Sequence, residues 1–306
     1  MWGSSPARRL PATRPRQNKD VALRFLRVNS KTDVPLKLAQ LCRFAVRAAL
    51  LAGALAVCAS AVELKREAAA AFERYARQAE SRIEAEIGRD NGFLFVSNPE
   101  RRDRLRTGAI LTESQIPRGE LKVPSGLIHD WAGAVFLPDA TLGQVLDLVQ
   151  AYDLHREIYQ PEVIGSRQLA RDGDDFRVSL RLLKKKVLTV VLDTEHAVHY
   201  EQRTATSWWS RSRSTRIVEV QDPGTRSERQ LPPDTGHGYM WRLNSYWTFQ
   251  EMDGGTYVEC EAISLTRDVP WGLRWLIEPI VRTLPRESLT NTLRATRNGV
   301  SRRRKK

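Results

Sequence analysis

A run of about a hundred residues, 162–267, alternates apolar and polar side chains and shows no helical periodicity. Strong turn-forming residues interrupt it at Asp172-Gly173-Asp174, Pro223-Gly224, Pro232-Pro233 and Asp253-Gly254-Gly255. Short alternating segments between such turns are typical of antiparallel strands. The sequence therefore predicts strands at 162–171, 175–185, 187–200, 204–220, 238–250 and 256–267.

Helical patterns flank this region on both sides. Residues 63–87 repeat apolar side chains at steps of three and four, and an irregular connector to residue 126 follows. A strand is predicted at 127–137, and Thr141 is the candidate N-cap of a helix that follows it. Pro270 opens a last helix that Pro285 is expected to break or kink, with a second piece at 286–299. The predicted fold class is α+β, with an antiparallel sheet wrapped round a long C-terminal helix and an N-terminal helical extension.

Two segments carry a family resemblance: "HDWAGAVFLPDATLGQVLDLVQAYDLHREIYQPEV" (129–163) and "VECEAISLTRDVPWGLRWLIEPIVRTLPRESLTNTLRATR" (258–297). In the order of its elements, the region 127–300 resembles the START-like, or SRPBCC (polyketide cyclase-like), superfamily with its helix-grip fold. The resemblance implies a cavity between sheet and C-terminal helix that holds a lipid, a quinone, a polyketide or another apolar molecule. It does not imply one reaction, since the fold hosts carriers, sensors and some enzymes.

The net charge of +13 is concentrated at the two ends of the chain. Residues 1–47 carry eleven Lys or Arg against two Asp, and residues 302–306 add five more, so that 48–301 is within one charge of neutral. A near-neutral body does not provide a basic groove for phosphates, which argues against a nucleic-acid partner. The tail 301–306 is expected to be solvated, with contact to an anionic membrane surface as the alternative.

The N-terminal residues resemble a targeting signal. Residues 1–47 are basic and expected to be disordered. The segment 48–62, "AALLAGALAVCASAV", is uncharged and ends in an A-x-A pattern at Ala59-Ser60-Ala61. It predicts a cleaved signal peptide and export to the periplasm or the exterior. The alternative is an uncleaved inner-membrane anchor, although fifteen residues are short for a span.

The Asp253-Gly254 turn sets a register for the last two strands. It pairs Ser245 with Ala262, Trp247 with Cys260 and Tyr246 with Glu261. One face of this hairpin is largely apolar and is expected to face the C-terminal helix. The candidate cavity-lining residues on it and on the helix are Trp241, Leu243, Ser245, Trp247, Cys260, Ala262, Leu276 and Ile280. Ser245 would fix a ligand's orientation; the alternative is that all these side chains fill the core.

Charged side chains on the hairpin and the preceding strand are candidates for polar contacts: Arg211, Arg213, Arg242, Glu259 and Glu261. The register turns Glu259 and Glu261 outward with Arg242 across the sheet, which favours a solvated face or a structural cross-strand ion pair. Turned inward, the two carboxylates would provide the acid and base of a cyclase or aromatase.

Three cysteines and five scattered histidines show no metal-ligand spacing, so no metal and no cofactor is expected. Cys260 is expected to be a small buried hydrophobe. The favoured function is binding or transport of an apolar small molecule by an exported monomer, without covalent chemistry. The alternatives are a cyclase-type enzyme and a membrane-tethered structural module whose interior is filled by its own tryptophans.

Overall fold

The computed structural model describes residues 62–88, 94–185, 189–268 and 274–304, without the side chains of 274–282. The predicted basic segment 1–47 and all but the last residue of the apolar segment 48–62 lie outside the described residues.

Helices lie at both ends of the described chain and after its first long strand. In chain order they are α1 (Arg66–Ile87), α2 (Pro99–Arg106), α3 (Leu142–Val149), α4 (His155–Ile158) and α5 (Arg274–Arg303). Thr141 begins α3 as predicted: its hydroxyl accepts from the Gln144 N–H, and the Gln144 side chain accepts from the Thr141 N–H. This reciprocal pair satisfies two N–H groups that the first turn leaves without helical partners.

The strands follow the predicted alternating segments closely. They are β1 (Val62–Glu63), β2 (Ile110–Ser114), β3 (Leu121–Val123), β4 (Gly126–Pro138), β5 (Val163–Asp172), β6 (Asp175–Lys185), β7 (Thr189–Thr204), β8 (Ser207–Gln221), β9 (Arg229–Gln230), β10 (Thr235–Gly236), β11 (Arg242–Met252) and β12 (Gly255–Arg267). β2 and β3 come from the part of the chain that the sequence suggested was an irregular connector.

One antiparallel sheet contains most of these strands. Its order is β2-β4-β12-β11-β8-β7-β6-β5, with β3 beside β4 and β9 beside β8. β5 to β8 follow one another as a meander, whereas β4 pairs along its whole length with the last strand, β12. The first and last long strands of the sheet are therefore neighbours.

The helix α5 packs on one face of the sheet, which is called the inner face below. It contacts β2, β4 and β12, and buries Leu289 and Leu293 there. Gly133 permits the close approach, since a Cβ at this position would lie 2.9 Å from a methyl carbon of Leu293. Burying a leucine side chain contributes about 2 kcal/mol. Of the predicted break or kink at Pro285, the break is wrong, because α5 runs past Pro285 as one helix. A proline costs a helix one hydrogen bond and some strain, and packing on the sheet offsets that cost.

The opposite face of the sheet, called the outer face, is covered by α1. Its small and apolar residues Ala68, Phe72, Ala76, Ala79 and Ile83 form one cluster with sheet residues that include Trp209, Tyr246, Ile263 and Leu265. Farther along, Phe95, Val96 and Leu105 cover β2, β4 and β12. β1 secures the start of α1 by pairing with β10. Both faces are thus packed against helices.

The predicted basic tail is partly helical. Residues 301–303 belong to α5, and the Arg304 guanidinium donates to the Pro138 carbonyl at 2.7 Å. The Arg303 guanidinium donates to the Asp147 carbonyl at 3.1 Å. These contacts join the end of α5 to the end of β4 and to α3.

Candidate functional site

A cavity of about 420 Å³ lies between the inner face of the sheet and α5. Strands β6, β7, β8, β11 and β12 form its floor, and residues 284–295 of α5 form one wall. Apolar floor residues include Val178, Leu180, Leu182, Val190, Leu192 and Val198. The volume is in the range of small-molecule sites.

The predicted hairpin register is confirmed. Ser245 pairs with Ala262, Trp247 with Cys260 and Tyr246 with Glu261. Because side chains alternate along a strand, this register turns one set of residues towards α5. Five of the predicted candidates line the cavity: Leu243, Ser245, Trp247, Cys260 and Ala262.

One of the other candidates is placed differently, and two are not tested. Trp241 was expected on the inner face but packs in the cluster under α1. It precedes Arg242, the first paired residue of β11, so the alternation of the strand does not extend to it. Leu276 and Ile280 belong to the part of α5 whose side chains lie outside the described residues.

Neutral polar groups interrupt the apolar floor. The Trp247 indole N–H donates to the Ser245 hydroxyl at 3.3 Å. His196 lies with Nε2 at 3.1 Å from the Thr194 hydroxyl and Nδ1 at 3.5 Å from the Ser212 hydroxyl. Burial lowers the pKa of His196 to about 4. At neutral pH this ring is therefore uncharged.

Hydroxyl groups of tyrosine lie at another side of the cavity. Tyr152 and Tyr200 share a hydrogen bond of 2.8 Å, and the Tyr159 hydroxyl lies 3.3 Å from that of Thr296. Burial raises the pKa of both Tyr152 and Tyr200. Burial also raises the pKa of the Cys260 thiol, which keeps this cavity-lining side chain protonated.

A polar bridge connects the sheet to α5 at one border of the cavity. Lys184 forms an ion pair with Glu162 and donates to the Ser288 hydroxyl at 2.6 Å. The Asn291 side-chain amide donates to the other Glu162 oxygen at 2.8 Å. These four residues join β6 and the start of β5 to the helix.

The candidates for polar contacts lie on the outer face or outside the cavity. Arg211 is opposite Tyr246 in the outer-face register, and the Arg213 guanidinium binds Glu80 of α1 in a bidentate pair. Arg242 was expected across from Glu259 and Glu261, but it faces Leu265 in the register and pairs with Asp234 at 2.7 Å. The predicted cross-strand pair is therefore wrong.

Glu259 and Glu261 point outward as predicted. Of the two expected environments, the solvated face is not found, because both residues are 7% exposed; the structural ion pair is found for Glu261. Glu261 forms an ion pair of 2.5 Å with Arg82 of α1. One Glu259 oxygen accepts the backbone N–H groups of Phe95 and Val96, at 2.9 and 3.0 Å. Alternation in the sequence predicted that water covers this face. Helix α1 and residues 94–96 cover it instead.

Burial changes the protonation of these carboxyls. The pKa of Glu259 is raised to about 8, because the loss of hydration outweighs its hydrogen bonds from the backbone of residues 94–96. Burial and the nearby charge of Glu261 raise the pKa of Asp130, whose other contact is a hydrogen bond of 2.8 Å from Tyr75 of α1. Burial also raises the pKa of Glu261. The outer face thus holds protonatable carboxyls in a dry contact with α1.

Sequence reasoning missed several residues that line the cavity. The polar ones include Tyr152, Glu162, Lys184, His196, Tyr200, Ser210, Ser212 and Ser264. The signal for Ser210 and Ser212 was available, because serines recur at every second position of this part of β8, on the face opposite Arg211 and Arg213. A register irregularity between Glu195 and His196 obscured the orientation of His196.

Two further properties concern the described residues alone. No group of His, Cys, Asp or Glu side chains in these residues is arranged to hold a metal ion. No helix in this part of the chain is both long and apolar enough to cross a membrane.

No family model and no curated relative matches the sequence. Solved structures are similar to part of it. A STAR-related lipid transfer protein from Xanthomonas axonopodis is 18% identical with a TM-score of 0.39, over 60% of this chain and 99% of that one. The Zhui aromatase/cyclase from a Streptomyces species is 12% identical with a TM-score of 0.37, over 57% and 95%. A START superfamily protein from Mycobacterium smegmatis is 13% identical with a TM-score of 0.38, over 57% and 98%.

The fold assignment rests on the elements of this chain. The antiparallel strands and the long C-terminal helix across the sheet were predicted from the sequence and are found here. The structure adds the pairing of the first long strand with the last. By the order and packing of these elements, the chain has the START-like helix-grip fold.

Proposed function

We propose that this protein binds an apolar small molecule in the cavity between the inner face and α5, and that it does so without covalent chemistry. One observation carries the proposal. Along β11, the inner-face residues Leu243, Ser245 and Trp247 keep accessible surface, although they lie between sheet and helix. Their outer-face neighbours are buried: Asn244, Tyr246 and Thr248 are 5%, 2% and 9% exposed.

Unfilled space beside apolar side chains favours a ligand over a plain core. Protein interiors are close-packed, so side chains under a helix normally fill the space between the layers. Here about 420 Å³ is left over. An apolar molecule in that space would be removed from water, which is favourable in proportion to its buried area. This also weighs against an interior filled by the protein's own tryptophans.

The enzymatic alternative receives less support. It depended on Glu259 and Glu261 pointing into the cavity, where one would act as acid and the other as base. Both point instead to the outer face, into contacts with Phe95, Val96 and Arg82.

A pair of matched variants tests the proposed function. Ala262→Phe places a ring in the cavity, because Ala262 lines it beside Ser245. Ala197→Phe makes the same change at an exposed position of β7, whose neighbours His196 and Val198 line the cavity, so that residue 197 points to the outer side. The neutral fluorescent probe 1-N-phenylnaphthylamine is titrated into each protein. Ala262→Phe should weaken its binding at least tenfold and Ala197→Phe should not change it.

Native mass spectrometry of the purified protein gives a second measurement, before and after extraction with organic solvent. A bound apolar molecule should appear in the first spectrum and be absent from the second. Absence of any extractable molecule, together with no probe binding by the unchanged protein, would reject the proposal.

Export through residues 48–62, anchoring by the same segment, and contact of residues 301–306 with an anionic membrane are separate proposals. N-terminal sequencing of the mature protein distinguishes the first from the second. A cleaved signal peptide would leave an N-terminus near residue 62.

A further inference from the structure

Three neutral polar side chains form a cluster in the cavity floor. Ser212 and Ser245 face each other as a direct pair on β8 and β11, and such pairs have Cβ atoms about 5 Å apart. His196, on β7, has Nδ1 at 3.5 Å from the Ser212 hydroxyl. All three residues line the cavity. They are called the serine–histidine cluster below.

The hydrogen bonds around His196 determine its tautomer. The Thr194 hydroxyl donates its proton to the Leu180 carbonyl at 3.1 Å. Only its lone pairs then remain for the His196 Nε2 atom at 3.1 Å, so Nε2 carries the ring proton and donates. Nδ1 is consequently an acceptor, and the Ser212 hydroxyl is its nearby donor.

This arrangement fixes what the cluster offers to a ligand. Ser212 directs its proton to His196, which leaves its oxygen lone pairs to accept. Ser245 already accepts the Trp247 indole N–H, which leaves its hydroxyl proton to donate. One donor and one acceptor, side by side in an apolar wall, match a hydroxyl or a carbonyl group.

Among the lining residues that the structure describes, the Lys and Arg side chains are Lys184 and Arg267. Both belong to positions far along their strands from this cluster. Arg267 is five residues along β12 from Ala262, the partner of Ser245, which is about 16 Å of strand. Lys184 pairs with Val190, eight residues along β7 from Val198, the partner of Ser212, or about 26 Å. Lys184 is also matched by Glu162. A carboxylate at the cluster would be buried among neutral groups, which is unfavourable for a charge.

We infer that the cavity selects uncharged ligands, namely apolar molecules that carry a hydroxyl or a carbonyl group, over ligands of the same skeleton that carry a carboxylate. The inference rests on the proposed function and specifies the class of molecule that the same cavity takes. Ser212 and Ser245 are the residues that recognise the polar group, and His196 positions the Ser212 hydroxyl.

Three probes of one skeleton test this selection: 2-naphthol, 2-naphthoate and 2-methylnaphthalene. Each is titrated into the full chain at pH 7 while tryptophan fluorescence is followed, since Trp247 lines the cavity. We expect 2-naphthol to bind at least tenfold more tightly than 2-naphthoate. It should also bind about fivefold more tightly than 2-methylnaphthalene, which cannot form the hydrogen bond.

The double variant Ser212→Ala/Ser245→Ala should lose the advantage of 2-naphthol over 2-methylnaphthalene and keep its affinity for the latter. Ser179→Ala is the matched control, because Ser179 points away from the cavity, between Val178 and Leu180, which line it. Circular dichroism shows whether each variant is folded.

The outcomes separate the two proposals. If none of the three probes binds the unchanged protein, the proposed function fails. If 2-methylnaphthalene binds but 2-naphthoate binds as tightly as 2-naphthol, the cavity is real and the inferred selection is wrong. An unaltered preference for 2-naphthol in the folded double variant would overturn the role of the two serines.

Discussion

The two faces of strands β11 and β12 differ in how tightly they are covered, and the difference is the reverse of what their composition suggests. The inner face carries tryptophan, leucine and cysteine, yet it borders open space of about 420 Å³. The outer face carries glutamate, asparagine and threonine, yet these side chains are nearly inaccessible. The face with polar and charged side chains is therefore packed under α1, and the apolar face borders the cavity.

The test with the largest expected effect compares two substitutions to alanine, one on each face. Phe72→Ala removes a fully buried ring of α1 from the outer-face cluster, and should lower the free energy of unfolding by about 3–5 kcal/mol. Leu243→Ala removes a side chain that borders the cavity, and should cost about 2 kcal/mol or less, since little packing is lost. Urea denaturation followed by circular dichroism measures both. Equal losses would show that the inner face is packed as tightly as the outer one.

A second, smaller test concerns Glu259. Glu259→Ala removes the acceptor of two buried N–H groups, those of Phe95 and Val96, and should cost about 2 kcal/mol of unfolding free energy. Glu259→Gln keeps a carbonyl oxygen in the same place and should cost less. On the inner face, Ser245→Ala should change stability by less than about 1 kcal/mol. If Glu259→Gln and Glu259→Ala lower the free energy of unfolding equally, the accepted hydrogen bonds do not account for the stabilising role of Glu259.

The third test uses pH, because titratable groups on the two faces change the free energy of unfolding in opposite directions as pH rises. The folded-state pKa of Glu259 is about 8, whereas an unfolded glutamate titrates near 4. Between these values unfolding releases a proton, so the free energy of unfolding falls as pH rises, by at most about 1.4 kcal/mol per pH unit. The raised pKa values of Asp130 and Glu261 act in the same direction.

His196 on the inner face provides the contrast for that measurement. Its folded-state pKa is about 4, below the unfolded value of about 6.5, so its contribution to stability rises with pH across that window. Urea denaturation between pH 4.5 and 8 should show a shallower fall for Glu259→Gln than for the unchanged protein. A slope that Glu259→Gln leaves intact would contradict a protonated Glu259 in the folded state.

The sequence predicted the hairpin down to its register, because a two-residue turn at Asp253-Gly254 and strict alternation are local signals. It also predicted α1 and the cap of α3, which depend on neighbouring residues. The cover over Glu259 and Glu261 was missed because it comes from α1 and residues 94–96, more than 160 residues earlier in the chain. Alternation separates two faces of a strand, but it does not show which distant element covers each face.

The same reason explains why only part of the cavity floor was predicted. Ser245 was predicted as a polar lining residue because it lies on the strand whose register the turn sets. Its partners Ser212 and His196 join it only through pairing across β8 and β7, and the irregularity at Glu195 shifts the alternation just before His196. Sequence spacing alone does not bring three strands into one row.

The cover that α1 provides also limits how the protein can be shortened. A fragment beginning at residue 127 would keep the long strands, α5 and the residues of the serine–histidine cluster. It would also leave Trp209, Tyr246 and Ile263 facing water, and a contiguous apolar surface of this kind promotes aggregation. Such a fragment is expected to be insoluble on expression, although every residue named in the cluster is present. The smallest soluble unit is therefore expected to include α1, although this helix lies on the face of the sheet opposite the cavity.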